Sequence, residues 1–260
     1  MLYYSYGITL LILCPLIFLA AFIDSIAGGG GLISLPAYIF AGIPIHTAGG
    51  TNKFSSTMGT SVAALNYFRG GYIDFPAAIT GCPGAFLGAW IGTRLALSLS
   101  PRVLQICLMV ILPLAGVFVF LRRGTESPGP KKPLTIRFKL FLSFLIGLVF
   151  GCYDGFFGPG TGMFVTLALS TMVRLELAKA VGTTKIMNFS SNLVSLITWF
   201  ISGKILFPIA IPCAICSMIG GNLGSRMTMK AGKKIIRPVL AFVAVLLFAK
   251  ILFDLIFRQF

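Results

Sequence analysis

Seven apolar runs dominate this 260-residue chain: Ile8–Ala27, Phe75–Trp90, Leu104–Leu121, Leu140–Phe150, Leu193–Ile201, Ile205–Gly220 and Val239–Phe257. Several approach the ~20 residues that a helix needs to cross the hydrocarbon core of a bilayer. Their continuity argues against a transmembrane β-barrel, whose strands alternate apolar and polar residues. Only 10% of the residues are charged, against about 25% in soluble domains, too few to cover a water-facing surface. The chain is read as an all-α polytopic integral membrane protein. Its start, "MLYYSYGITLLILCPLIFLAAF", has no basic n-region and no small-residue cleavage site. It is expected to be a first membrane segment, with Tyr3, Tyr4 and Tyr6 as an interfacial anchor, rather than a secretory signal.

The net charge of +15 in a soluble chain would raise nucleic acid as a partner. Here the basic residues fall in short connections between apolar runs, where anionic lipid is the expected partner. Nucleic acid is not. The six cysteines lie in apolar segments, and His46 is the only histidine, so no metal site and no cofactor are expected. Cys213 and Cys216 form a C-x-x-C without a thioredoxin-like context and read as small apolar fillers.

Internal repetition is the most informative feature. "AFIDSIAGGGGL" (Ala21–Leu32) and "FGCYDGFFGPGTG" (Phe150–Gly162) each set an aspartate just before a glycine-rich break. Asp24, Gly28 and Gly30 match Asp154, Gly158 and Gly160 at an offset of 130. "GTNK" (Gly50–Lys53) matches "GTTK" (Gly182–Lys185) at an offset of 132, and Gly88, Gly92 and Arg94 match Gly220, Gly224 and Arg226. The chain divides into a first membrane repeat over residues 1–122, a basic cytoplasmic linker over 123–138 and a second repeat over 139–260. With five segments per half, one side of the membrane collects Arg69, the linker cations, Arg174, Lys179 and the Arg226–Arg237 cluster. The other keeps only Arg94, Arg102, Lys204, Lys250 and Arg258. That bias favours two pseudo-symmetric, inverted halves with the linker in the cytoplasm. The segments after the breaks, Leu32–Gly42 and Met163–Met172, are too short to span and are expected to be short, tilted or re-entrant helices. Such matched interruptions in inverted halves mark the substrate site of transporters.

The candidate binding residues follow from this placement. A helix beginning after a break turns free N–H groups and a positive dipole end toward it, a ready anion site. Gly29, Gly30 and Gly31 in one half, and Gly160, Thr161 and Gly162 in the other, are therefore assigned to substrate. So are Thr51, Asn52, Lys53 and Ser56, with Thr183, Thr184, Lys185 and Asn188. These groups supply the hydroxyls, amides and cations that hold a tetrahedral oxyanion. Each G-T-[NT]-K is expected to precede a long helix. The competing account pairs each lysine with the aspartate of its own half. Three roles stay open for Asp24 and Asp154: neutralising a lysine, holding the N–H groups of a helix start, or carrying a proton. Arg94 and Arg226 read as helix-end cations, and His46 as a bystander beside a loop.

The stretches "AFIDSIAGGGGLISLP", "GTNKFSS", "GCYDGFFGPGTGMF" and "AVGTTKIMNFSSNLVSLITWFISGKI" resemble the TauE/SafE family of sulfite exporters and toluene sulfonate uptake permeases, over nearly the whole chain. The resemblance implies a secondary transporter moving a small sulfur-containing anion, such as sulfite or an organosulfonate, by alternating access. It places the chain in the inner membrane of a bacterium or archaeon. The chain departs from the family at Met163, where a small hydroxyl residue is expected; if this position lines the site, it favours an organosulfonate.

An anion channel, and a proton- or cation-coupled carrier of another small organic anion, are the alternative functions. A cation carrier built on Asp24 and Asp154 is a further one. An enzyme is not expected, because no metal constellation, Ser/His/Asp set or nucleotide loop is present. Proton or sodium coupling and a homodimer are expectations of the same rank.

Overall fold

The computed structural model describes residues 5–104, 106–107, 134–156, 158–232, 234–236 and 238–239. Most of the linker and the apolar runs Leu104–Leu121 and Val239–Phe257 lie outside these residues. Helices α1 (Tyr6–Ala27), α2 (Gly31–Phe40), α3 (Ile45–Arg69) and α4 (Phe75–Ser98) belong to the first half. Helices α5 (Ile136–Phe156), α6 (Thr161–Thr171), α7 (Leu177–Ile201) and α8 (Phe207–Ala231) belong to the second. No strand occurs among the described residues. Helices α1, α4, α5 and α8 are long and apolar enough to cross a membrane. Their outward faces carry Ile79, Phe86, Phe141, Val149, Ile211 and Ile219. An exposed apolar belt of this kind requires lipid rather than water around it.

Helices α2 and α6 have 10 and 11 residues. At ~1.5 Å per residue each reaches about half of the ~30 Å core. Both begin where the chain turns on glycine. Gly28 and Gly158 have φ of 80° and 83°, a region open to glycine at little cost.

The halves interlock rather than stand side by side. Helix α1 packs chiefly on α8, and α5 chiefly on α4, so the first of the four helices named in each half lies against the fourth of the other. Helices α3 and α7 then pack on each other and on α8 and α4 respectively. The α4–α5 seam is built from glycine. A Cβ at Gly88 would collide with the Leu148 carbonyl, and one at Gly151 with the Ala85 carbonyl. Small residues spaced by four let two membrane helices approach to backbone contact.

One sequence expectation is revised. The G-T-[NT]-K segments lie inside α3 and α7 rather than before them, because the helices start at Ile45 and Leu177. Gly50 and Gly182 are helical positions pressed against the backbone carbonyls of Lys204 and Tyr72. The glycines there serve close packing rather than a break. At the linker's end, α5 already begins at Ile136. Lys139 on that helix pairs with Asp74 at 2.6 Å. Asp74 caps α4 by accepting from the Ala77 N–H at 3.0 Å.

Candidate functional site

The two glycine breaks meet at the centre. A Cβ on Gly28 would collide with the backbone of Gly162 and Met163, and Gly162 would in turn press on the Cα of Gly28 at 2.9 Å. This contact brings both aspartates, at the ends of α1 and α5, beside the lysines of α3 and α7.

The ion pairs cross between halves. Lys53 of the first half lies 3.0 Å from Asp154 of the second, and Lys185 of the second lies 2.7 Å from Asp24 of the first. The competing account, in which each lysine pairs within its own half, does not hold in this form: both lysines are paired, but with the aspartate of the opposite half. The pairs cross where the Gly28–Gly162 contact brings the ends of α1 and α5 together, with α3 and α7 packed on each other beside it. Lys53 also donates to Asn192 Oδ1 at 2.9 Å. Asp154 accepts from the Ser191 hydroxyl at 2.6 Å. Asp24 accepts from the Gly30 N–H at 3.2 Å. The two pairs differ in access: side-chain exposure is 6% and 7% for Lys53 and Asp154, but 1% and 23% for Lys185 and Asp24.

A cavity opens beside these pairs. It is lined by Ile17, Ala20, Ala21, Asp24 and Ser25 of α1, the Gly30–Gly31 turn, and Ser34 of α2. Asn52, Lys53, Ser56, Gly59, Thr60 and Ala63 of α3 form another wall. Asp154, Gly158, Thr161, Gly162, Asn188, Asn192 and Ser217 complete it from the second half. The space open to the centre of a water molecule is about 50 Å³. At ~10–15 Å³ per water that is room for a few waters, the size of a small oxyanion. A smaller cavity of about 20 Å³, lined by Leu35, Ile45, Gly49, Leu104, Gly155, Phe156 and Trp199, shares Asn52 and Lys53 with the first. Lys53 thus stands in the wall between two spaces.

Of the residues assigned from sequence, the cavity gathers Gly30, Gly31, Asn52, Lys53, Ser56, Thr161, Gly162 and Asn188, with Asp24 and Asp154. Gly29 and Gly160 belong to the turns behind it, with φ of 104° and 83°. Lys185 is fully buried behind Asp24. Three hydroxyls are engaged elsewhere. Thr51 Oγ1 accepts from the Leu206 N–H at 3.1 Å, and Thr183 Oγ1 from the Asp74 N–H at 2.9 Å. These two bonds occupy matched places at the starts of α8 and α4, and they tie each of these helices to the opposite half. Thr184 shares a hydrogen bond with Thr166 at 3.1 Å. Met163 does not line the cavity; it is buried against Ile23 and Phe164, so its effect on substrate choice falls away. His46 sits in the first turn of α3, with Nε2 3.3 Å from the Ala96 carbonyl oxygen. Arg94 stacks over Trp90 at 4.4 Å. Cys213 and Cys216 are free thiols.

Sequence reasoning missed Ser25, Ser34 and Ser217 as wall residues. Asn192 was visible in "NFSSN", seven residues and so two helical turns beyond Lys185, which places it on the same face. The three serines carry no comparable signal.

A polytopic helical protein with crossed charge pairs and a polar cavity between two half-length helices has the architecture of a membrane transporter. Residues 13–251 match the family of the sulfite exporter TauE/SafE, and the chain belongs to that family. It is 35% identical over 237 residues to a probable membrane transporter protein of Haemophilus influenzae, covering 91% of this chain and 92% of that one. It is 35% identical over 242 residues to the probable membrane transporter protein ORF9 of a Sinorhizobium species, covering 91% and 90%. The probable membrane transporter protein YfcA of Escherichia coli is 32% identical over 237 residues, covering 91% and 87%. No solved structure matches the chain.

Proposed function

We propose that this membrane transporter carries a small sulfur-containing oxyanion, such as sulfite or an organosulfonate, across a bacterial or archaeal inner membrane by alternating access. The observation that carries the reading is the placement of Lys53. It lines the cavity with Asn52, Asn188 and Asn192, and it also borders the second space. Amide donors and a buried ammonium suit an oxyanion. A group facing two cavities suits a substrate handed from one side to the other. The halves are taken as inverted, in keeping with the distribution of basic residues, and α2 and α6 are the elements that rock.

Charge balance favours coupling to a cation over a simple channel. The two lysines and two aspartates cancel, so an entering anion leaves the site net negative where charge is poorly solvated. A proton or sodium ion at Asp24, the most exposed of the four charges, restores neutrality. Asp24 faces Lys185 of α7 and the Gly30 N–H.

Thermal unfolding of the purified protein with sulfite, sulfate, thiosulfate and methanesulfonate tests the substrate class, because a ligand of the folded state stabilises it. A concentration-dependent rise with sulfite or a sulfonate is expected. An unchanged melting temperature with all four at millimolar concentration contradicts the reading.

A further inference from the structure

We infer that Ser34 is a substrate-contacting residue, whose hydroxyl donates a hydrogen bond to an oxygen of the bound anion. The inference rests on the oxyanion reading above and names a contact that it does not contain. Ser34 lies on α2, one turn beyond the break, and lines the cavity together with Gly30 and Gly31. It is 3% exposed. Among the described residues, nothing takes or gives a hydrogen bond at its hydroxyl.

That state is unusual within this molecule. A helical serine commonly bonds back to a carbonyl three or four residues earlier. Ser25, Ser55, Ser61, Ser191 and Ser225 all do so here, at 2.7–3.1 Å. For Ser34 the carbonyl four residues back is that of Gly30, which already accepts from the N–H groups of Ile33 and Ser34 itself. A buried hydroxyl without a partner is destabilising, so its presence calls for an explanation. Its position supplies one. It stands near the N-terminus of a ten-residue helix, where the dipole favours negative charge. It faces a cavity already furnished with Lys53 and Asn188. The matched residue of the second half at an offset of 130 is Phe164, which packs on Phe150 and Tyr153. The hydroxyl is therefore contributed by one half only, and the anion is held off the pseudo-symmetry axis, toward α2.

The test uses the full-length purified protein, with sodium sulfite as probe and sulfate and methanesulfonate as comparison anions. Ser34→Ala is expected to melt at or above the wild-type temperature without anion, since it removes an orphan polar group. Its half-saturating sulfite concentration is expected to rise about 10- to 100-fold, the loss of a hydrogen bond to a charged group. Ser34→Thr, which keeps the donor, should retain most of the affinity. Ser143→Ala removes the other buried hydroxyl that is without a partner among the described residues, away from the cavity, and should leave the sulfite response unchanged. Ser34→Cys, close in size and a weak donor, replaces the alanine variant should that one fail to fold. A lower melting temperature with wild-type sulfite affinity would make Ser34 a structural residue and overturn the assignment. A wild-type protein that responds to none of the three anions overturns the oxyanion reading, and this inference with it.

Discussion

Lys53 and Asp154 form a buried pair, and removing one member leaves the other charged and uncompensated. Such a loss costs about 3–5 kcal/mol. Lys53→Ala is expected to lower stability by that order, as read by thermal unfolding. The double variant Lys53→Met/Asp154→Leu should recover most of it, since apolar residues of similar size often replace a buried pair without loss. Lys185→Ala should cost less, because Asp24 is partly exposed and water can solvate the orphaned carboxylate. Equal losses at the two sites would contradict this ranking. Both lysines and both aspartates were legible in the sequence, because a charge in an apolar run stands out. Their partners were not. Pairing across the halves depends on how the two breaks meet at the centre, and no local pattern encodes that. Ser34 was invisible for a different reason: one serine in an apolar helix reads as filler until its missing hydrogen bond is seen.

At the scale of elements, the α4–α5 seam and the threonine ties carry the interlock. Gly88→Leu would drive a side chain into the Leu148 carbonyl and should separate the helices. We expect loss of the monodisperse peak in detergent size-exclusion chromatography; a normal elution profile would show that the seam is not required. Thr51→Val and Thr183→Val each strand a backbone N–H, of Leu206 and Asp74 respectively. Each should cost about 1–3 kcal/mol in thermal unfolding, without changing anion affinity. A selective loss of affinity would return these residues to the binding site. The half-length of α2 and α6 was legible from the distance between breaks. The starts of α3 and α7 were not. Gly49–Gly50 and Gly182 look like chain breaks, yet they are helical positions kept small by the neighbouring backbone at Lys204 and Tyr72 and, for Gly49, by the Trp199 ring.

For the whole molecule, two-fold correspondence of the packing is established and the opposite orientation of the halves is a proposal. Arg69 and Ile201 are matched at an offset of 132, and both are exposed at helix ends. In a variant lacking the native cysteines, Arg69→Cys and Ile201→Cys should react with a membrane-impermeant maleimide from opposite faces. Arg69 should label from the cytoplasmic face. Labelling from one face would make the halves parallel. The central claim is that an oxyanion binds and crosses at Lys53. The most direct test is uptake of radiolabelled sulfite into proteoliposomes by the wild type and by Lys53→Met/Asp154→Leu, compared at matched thermal stability. Saturable uptake by the wild type and none by the double variant is predicted. Uptake at the wild-type rate by a folded double variant would contradict the account.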